Sequence, residues 1–364
     1  MRLTRVSVRD FRSYVTADAP LGEGVTVIHG RNGAGKTNLL EGIYLGCTGR
    51  SWRSSSDREL VRFGAEVARV ELDGEAEDGQ HTLSVGIAPG EPRRLRVDGA
   101  TVERMADLPT RPLAAVFLPD RLDLIKGAPS LRRAHVDQLV AALWPSRAAT
   151  RRAYAQALAQ RNALLARAGG AESSLETWDA ELSRHGIALM DDRRQALAMV
   201  TARFADLAAG LGLAGETVLA YRPRSPAGTA TELAGELRDR RDRDRRRGFT
   251  AHGPHRDDVA FRRDGRELRA FGSQGEQRVA VLALLLAERD AIAHLRSSPP
   301  MMLLDDAMSE LDAARREALM RALERPGQSV ITTTDLSHVP GSEASGITRL
   351  AVAGGVVLTA AAAA

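Results

Sequence analysis

Gly30-Arg31-Asn32-Gly33-Ala34-Gly35-Lys36-Thr37 follows the apolar run Val25-Thr26-Val27-Ile28 and precedes Asn38-Leu39-Leu40-Glu41-Gly42-Ile43-Tyr44-Leu45. The first run reads as a short buried strand and the second as a largely apolar helix, so the glycine-rich octet is the turn of a strand-loop-helix unit. Its glycines let successive backbone N–H groups turn toward one anion, and the positive end of the following helix dipole faces the same point. In such a loop Lys36 bridges the outer phosphates of a nucleotide and the Thr37 hydroxyl holds Mg²⁺. Lysine recurs only at Lys126, so nearly all of the 51 basic side chains are arginines. A general bias toward arginine explains most of that imbalance, yet position 36 keeps the compact ammonium that a planar guanidinium replaces poorly.

A second half-site lies far along the chain. Met301-Met302-Leu303-Leu304-Asp305-Asp306 is an apolar strand ending in two carboxylates. Asp305 is expected to orient a water on Mg²⁺, and Asp306 either accepts a proton from the attacking water or caps the loop. Phe271-Gly272-Ser273-Gln274-Gly275-Glu276-Gln277 opens the apolar helix Val279 to Leu286 and offers a second anion-seeking helix end. One chain therefore has two phosphate-seeking helix ends but one lysine loop and one carboxylate pair. The economical arrangement is a shared site: the loop of one protomer holds ATP, and Ser273-Gln274-Gly275 of another closes over its γ-phosphate.

The 364 residues are 43% hydrophobic and 27% charged, values of a folded chain with a sizeable core. No run has the roughly 18 to 20 apolar residues that cross a bilayer, and Met1-Arg2-Leu3-Thr4-Arg5 lacks a signal-peptide core, so a cytoplasmic location without membrane contact is expected. Cys47, the single cysteine, excludes an intramolecular disulfide and is expected just after the first helix as a packing residue. A net charge of +4 and a pI near 9.7 permit polyanion binding without requiring it.

Residues 1 to 120 are strand-rich: Val67 to Leu72, Thr82 to Ile87, Leu95 to Val97 and Leu113 to Leu118 have strand texture, with a turn at Asp98-Gly99. From about Ser130 to Arg247 the spacing is helical. Beyond Gly248 strands return at Val259-Ala260-Phe261 and, after a turn at Asp264-Gly265, at Leu268. The chain is expected to form an α/β lobe from residues 1–120 and 249–364, with 121–248 as an inserted helical lobe. Asp and Arg interleave from Glu236 to Arg247, which reads as a solvated helix face held by i,i+4 pairs in preference to a DNA-binding strip. The Ala361 to Ala364 tail reads as frayed.

Ser273 to Gln277 resembles the signature of ABC-type ATPases, and Ser309-Glu310-Leu311-Asp312 resembles their D-loop. Longer strings resemble the RecF family: Asp10-Phe11-Arg12-Ser13-Tyr14, Lys36 to Tyr44, Arg50-Ser51-Trp52-Arg53-Ser54, Leu124-Ile125-Lys126-Gly127 with Arg132-Arg133, Gln160 to Leu165, and Gly253-Pro254-His255-Arg256-Asp257-Asp258. The match runs in order almost from end to end. The resemblance implies an ABC-type P-loop ATPase head, Rad50-like, with an inserted α-helical arm lobe. It implies a homodimer formed with ATP and Mg²⁺, slow DNA-stimulated hydrolysis, and binding of double-stranded DNA and of junctions between single- and double-stranded DNA. It further implies cooperation with RecR and RecO in loading RecA at gaps, the signature residues Ser273, Gln274, Gly275 and Gln277 acting in trans, and Arg12 and Tyr14 near the adenine.

This sequence departs from the ABC pattern in several places. Asp306 stands where transporter-type ATPases have glutamate, no histidine directly follows Ser329-Val330-Ile331-Thr332-Thr333-Thr334, no glutamine occurs in Ala115 to Asp120, and Pro119-Asp120-Arg121-Leu122 has Asp-Arg where the RecF resemblance implies an acidic pair. A transporter subunit would need a coupling surface and does not suit a helical insert of about 120 residues. An SMC-like tether needs heptads sustained far longer than this lobe, which Gly169-Gly170 and Pro223 interrupt. His252 and His255 flank Gly253-Pro254 in a turn and suit a structural or interface role over a metal site. DNA contacts are expected from arginines to phosphates, and an aromatic content of 4% argues against stacking platforms.

Overall fold

The structure is a computed structural model that describes residues 1–105, 111–118, 122–167, 172–296 and 299–359. The readings made above of Pro119-Asp120-Arg121, Gly169-Gly170 and the alanine tail lie outside the described residues. The chain divides into two compact units, Met1–Arg121 with Ile292–Ala364, and Leu122–Ala291.

In chain order the first segment contains β1 (Arg2–Phe11), β2 (Tyr14–Pro20), β3 (Val25–His29), α1 (Lys36–Thr48), α2 (Asp57–Leu60), β4 (Ala68–Ala76), β5 (Gly79–Ile87), β6 (Arg94–Val97), β7 (Ala100–Val102) and β8 (Ala114–Phe117). The second unit contains α3 (Asp123–Lys126), α4 (Pro129–Leu143), α5 (Ala148–Leu165), α6 (Glu172–Gly210), β9 (Thr217–Arg222), α7 (Ala230–Asp239), α8 (Arg241–Arg247), β10 (Asp258–Arg263), β11 (Arg266–Glu267), α9 (Leu268–Phe271) and most of α10 (Gln274–Arg296). The chain then returns through β12 (Met301–Leu304), α11 (Ala313–Leu323), β13 (Ser329–Thr333), β14 (Thr348–Ala353) and β15 (Val356–Thr359).

In the first unit α1 lies between two sheets. One is antiparallel, in the order β2-β1-β4-β5-β6-β7; the other has the order β15-β14-β3-β13-β12-β8 and is parallel except for β15. The helix is apolar almost all round because both sides are covered: Leu39, Leu40, Ile43 and Leu45 are fully buried, and it meets β1, β4 and β5 on one side and β8 and β13 on the other. A Cβ on Gly46 would stand 2.5 Å from the Leu72 side chain, so glycine sets how closely α1 approaches β4. Cys47 lies inside this helix rather than beyond it, and burial pushes its thiol up to about 12. At the β6–β7 turn Asp98 and Gly99 have φ of 49° and 82°, the left-handed pair that a tight hairpin needs.

The second unit departs from three expectations. Thr217–Arg222, inside the stretch read as helical, is a strand, and β9 pairs antiparallel with β10 from Arg222↔Asp258 to Thr217↔Arg263. Residues after 248 therefore pack with the helices that precede them, and the division falls at Ala291/Ile292 rather than at 248/249. The partner strand of Thr217-Val218-Leu219-Ala220-Tyr221 lies some 40 residues downstream, so local helical texture dominated the reading. Leu268, expected in the returning strand, starts α9.

Glu236 to Arg247 is not simply a solvated face. Arg161 is fully buried; its Nε donates to Asp179 at 2.6 Å and its Nη1 to Asp244 at 2.8 Å and to Thr250 Oγ1 at 2.7 Å. Arg241, also buried, donates to Asp179 at 2.7 Å. His252 meets Glu236 at 2.5 Å, and His255 sits between the Tyr154 hydroxyl at 2.7 Å and the Thr250 carbonyl at 2.9 Å. Both histidines thus tie the Gly253-Pro254 turn to its neighbours.

Burial, aided by Arg256 and Arg133, pulls the His255 imidazole down to about 4, against the Thr250 carbonyl and Asp244, which favour its charged form. A histidine lowered on folding stabilises the fold fully above the unfolded value near 6.5 and loses that contribution as pH falls toward 4. We expect urea denaturation to show wild type losing up to about 3 kcal/mol more than His255→Gln between pH 6.5 and 4. Parallel pH profiles would contradict this assignment.

Candidate functional site

The glycine-rich loop begins where β3 ends, and its conformation follows from its glycines: φ is 157° at Gly30, 77° at Gly33 and 117° at Gly35. A Cβ on Gly35 would lie 2.9 Å from the Tyr14 hydroxyl and 3.1 Å from Ser13 Oγ, so a side chain there is excluded twice over. Lys36 begins α1, is largely buried, and donates from Nζ to the carbonyls of Gly30 at 2.8 Å and Arg31 at 3.1 Å. Burial lowers the pKa of its ammonium, while Asp306 and Asp305 act to raise it. A phosphate oxygen is a charged and stronger acceptor for the same group than a carbonyl.

Thr37 Oγ1 lies 2.9 Å from both oxygens of Asp305, although 268 residues separate the two. The parallel sheet produces this meeting. β3 leads into the loop, β12 ends at Leu304, and β13 lies between them, paired with both. From β13, Thr332 donates to Asp305 Oδ1 at 2.7 Å and accepts the backbone N–H of Asp306 at 2.9 Å. Asp306 occupies φ 47°, a left-handed conformation costly for a non-glycine residue. Its Oδ1 is buried without a hydrogen-bond partner among the described residues, and burial, reinforced by the Asp305 charge, raises its pKa despite Ser309, Lys36 and His338. A threonine hydroxyl beside a carboxylate, and a second carboxylate with acceptor capacity to spare, form an oxygen donor set suited to Mg²⁺.

Around these groups lies a cleft of about 420 Å³, lined by Asn32, Gly33, Gly35, Lys36, Thr37, Asn38, Arg53, Asp305, Asp306 and Thr332. Arg53 and Thr332 were not singled out as site residues from sequence. Arg53 lies in the string Arg50 to Ser54, and its Nη1 donates to Asn38 Oδ1 at 3.0 Å. Thr332 belongs to the run in which no switch histidine follows, and its two bonds to the carboxylate segment become visible only once β13 is seen between β3 and β12.

Arg12 and Tyr14, expected near the adenine, make contacts with α1 and with the loop. The Arg12-Ser13 turn joins β1 to β2, with Arg12 at φ 52°. Its guanidinium grips the fully buried Glu41 of α1 with two bonds, at 2.9 and 2.8 Å. Tyr14 is fully buried, and its hydroxyl donates to the Gly35 carbonyl at 2.9 Å. Tyr14 thus braces the loop, and Arg12 ties the β1–β2 turn to α1.

In the second unit, Ser273 and Glu276 form a reciprocal cap at the start of α10: the Ser273 N–H donates to Glu276 at 2.8 Å, and the Glu276 N–H to Ser273 Oγ at 3.3 Å. Ser273 and Gln274 are exposed. Gln277 is buried, and its Nε2 donates to the carbonyls of Leu268 at 2.8 Å and Gly272 at 3.0 Å, so it holds the segment from within rather than lining a surface.

Residues 2–350 match the RecF/RecN/SMC N-terminal domain family. The chain is 38% identical over 345 residues to the DNA replication and repair protein RecF of Desulforudis audaxviator (strain MP104C), covering 92% of this chain and 94% of that protein. It belongs to the RecF family. The RecF protein of Anaeromyxobacter sp. (strain Fw109-5) is 36% identical over 368 residues, covering 98% and 99% of the two chains. Among solved structures, the recombination mediator protein RecF of the RecFOR pathway matches with a TM-score of 0.87 as RecF-ATP and 0.85 as RecF-ATPrS. Each is 27% identical and covers 98% of this chain, with 97% and 98% of the respective solved chains matched. The SMC head bound to the C-terminal winged-helix domain of ScpA, at 16% identity and a TM-score of 0.61, shares the fold. The fold is thus that of an ABC-type ATPase head, as the RecF resemblance implied.

If Tyr14 braces the loop and does not read a base, Tyr14→Phe is expected to weaken ATP and GTP binding by the same factor. About fivefold corresponds to one hydrogen bond of about 1 kcal/mol. Titration calorimetry with both nucleotides checks this; a loss confined to ATP would place the tyrosine at the base instead.

Proposed function

We propose that this chain is an ATP-switched DNA-binding protein of replication and recombinational repair, acting in the cytoplasm as a homodimer. The contact of Thr37 with Asp305 carries the reading, because it joins a phosphate-binding helix end to a carboxylate in the geometry that a Mg²⁺-nucleotide requires. Thr37 and Asp305 would hold Mg²⁺, and Lys36 with the N–H groups of residues 30–37 would hold the phosphates. When bound, Mg²⁺ neutralises charge on the phosphates. Asp306 is the candidate acceptor for the proton of the attacking water; its short side chain, where transporter-type ATPases have glutamate, suits slow turnover. The near full-length similarity to RecF proteins supports the biological setting.

Ser273 and Gln274 stand at an exposed helix start, which suits the γ-phosphate of a second subunit. On this reading Ser273-Gln274-Gly275 of the partner subunit closes the site, and ATP acts as a dimerisation switch more than as a fast fuel. Double-stranded DNA and junctions of single- and double-stranded DNA are the proposed ligands. RecR is the proposed direct partner, with RecO and RecA acting downstream.

Sedimentation of wild type, Lys36→Met and Ser273→Arg with ATP and a gapped duplex tests this. We expect wild type to dimerise on DNA only with ATP, Lys36→Met to lose nucleotide retention, and Ser273→Arg to bind ATP yet remain monomeric. An ATP-independent monomer on DNA would overturn the switch.

A further inference from the structure

Helix α8 has two unlike faces. Arg241 and Asp244, three residues apart, point into the second unit and join the buried network with Arg161 and Asp179. Arg243, Arg246 and Arg247, at spacings of three and four, occupy the opposite face. All three are exposed, and none of their side chains makes an ion pair or hydrogen bond among the described residues. A solvated face of the ordinary kind pairs its charges along the helix; here Asp242 is 85% exposed and approaches only Arg245, at 3.7 Å. Across residues 238–256 the exposed charges are Arg238, Arg243, Arg245, Arg246, Arg247 and Arg256 against Asp239 and Asp242, six positive and two negative.

The segment that follows is held with equal firmness. Gly248 caps α8 at φ 73°, and Phe249 comes next, 40% exposed, with the Arg256 guanidinium 5.5 Å from its ring centre. Thr250 is then fixed: its N–H donates to Asn162 at 2.8 Å, and its hydroxyl accepts from Arg161 at 2.7 Å. The Ala251 N–H donates to Asp244 at 3.2 Å. Burying two arginines and two aspartates carries a desolvation cost that apolar residues of the same volume would avoid. What the network provides is a fixed base: the exposed arginines stand on a helix whose other side cannot turn.

We infer that Arg243, Arg246, Arg247 and Arg256 form a contact surface for the phosphate backbone of DNA. Guanidinium groups match phosphate geometry in pairs, bind without reading base edges, and need no acidic partner of their own in the free protein. The four lie within 14 residues of one another, three on α8, which is locked from behind, and Arg256 on the turn that follows. None of the four is among the cleft-lining residues, and they supply arginines for the DNA-binding reading above, on which this inference rests.

The test is equilibrium binding of the full chain to a fluorescein-labelled gapped duplex, with ATP, over a series of NaCl concentrations. The triple variant Arg243→Gln/Arg246→Gln/Arg247→Gln should bind about tenfold or more weakly. Its plot of log affinity against log salt should be shallower by up to about 2 to 3, since each lost phosphate contact removes about 0.9 on duplex DNA. The matching triple Arg→Lys variant should keep most of the affinity and slope, which separates lost charge from a disturbed helix. ATP retention should be unchanged in both. Wild-type affinity and slope in the glutamine variant would overturn the inference while leaving the proposed function intact. Failure of wild type itself to bind the duplex would overturn the DNA-binding reading and, with it, this surface.

Discussion

Two oxygen atoms of Asp305 meet one hydroxyl of Thr37, and most of what the first unit does depends on that meeting. The two residues belong to segments separated by the whole second unit, so the contact forms only if β12 and β13 return to the sheet that β3 began. Parallel pairing of β13 with β3 on one side and β12 on the other fixes the return. A slip of one residue would turn every side chain to the other face and carry Asp305 away from the loop. Thr332 reinforces the register, because one hydroxyl both donates to Asp305 and accepts from the Asp306 backbone.

The rest of the unit holds the other half of the contact in place. Thr37 stands on the first turn of α1, which is clamped between the two sheets and approaches one of them through Gly46. Tyr14 supports the loop at Gly35, and the Arg12 pair with buried Glu41 ties the β1–β2 turn to the same helix. Left-handed backbone at Arg12 and Asp306 is strained for residues with side chains; Asp306 lines the cleft and Arg12 grips the helix that carries Thr37. Strain of this kind persists where surrounding contacts over-determine the geometry, and the bonds just named do so.

Much of this was legible in the sequence because it is local. The strand-loop-helix around Gly30 to Thr37, the acidic end of the Met301 strand and the two Asp-Gly hairpin turns each declare themselves within a dozen residues. What was missed depends on partners distant in sequence. Thr332 gains its role from lying between two strands that no local pattern orders. Thr217 to Tyr221 is a strand because Asp258 to Arg263 pairs with it, and that pairing moves the second boundary from 248 to 291. The contacts of Tyr14 with Gly35 and of Arg12 with Glu41 of α1 likewise join segments that no local pattern brings together. The arginine-rich stretch at 241–247 reads as uniform in sequence, and only packing against Arg161 separates a buried side from a free one.

On the function proposed above, Thr37 and Asp305 act as one unit on the metal-bound nucleotide. A double-mutant cycle on ATP affinity, with Thr37→Val, Asp305→Asn and the pair, measured by calorimetry with and without Mg²⁺, tests it most directly. A coupling above about 1 kcal/mol is expected in Mg²⁺, and it should disappear when the ion is chelated. Additive losses, equal with and without the ion, would contradict it.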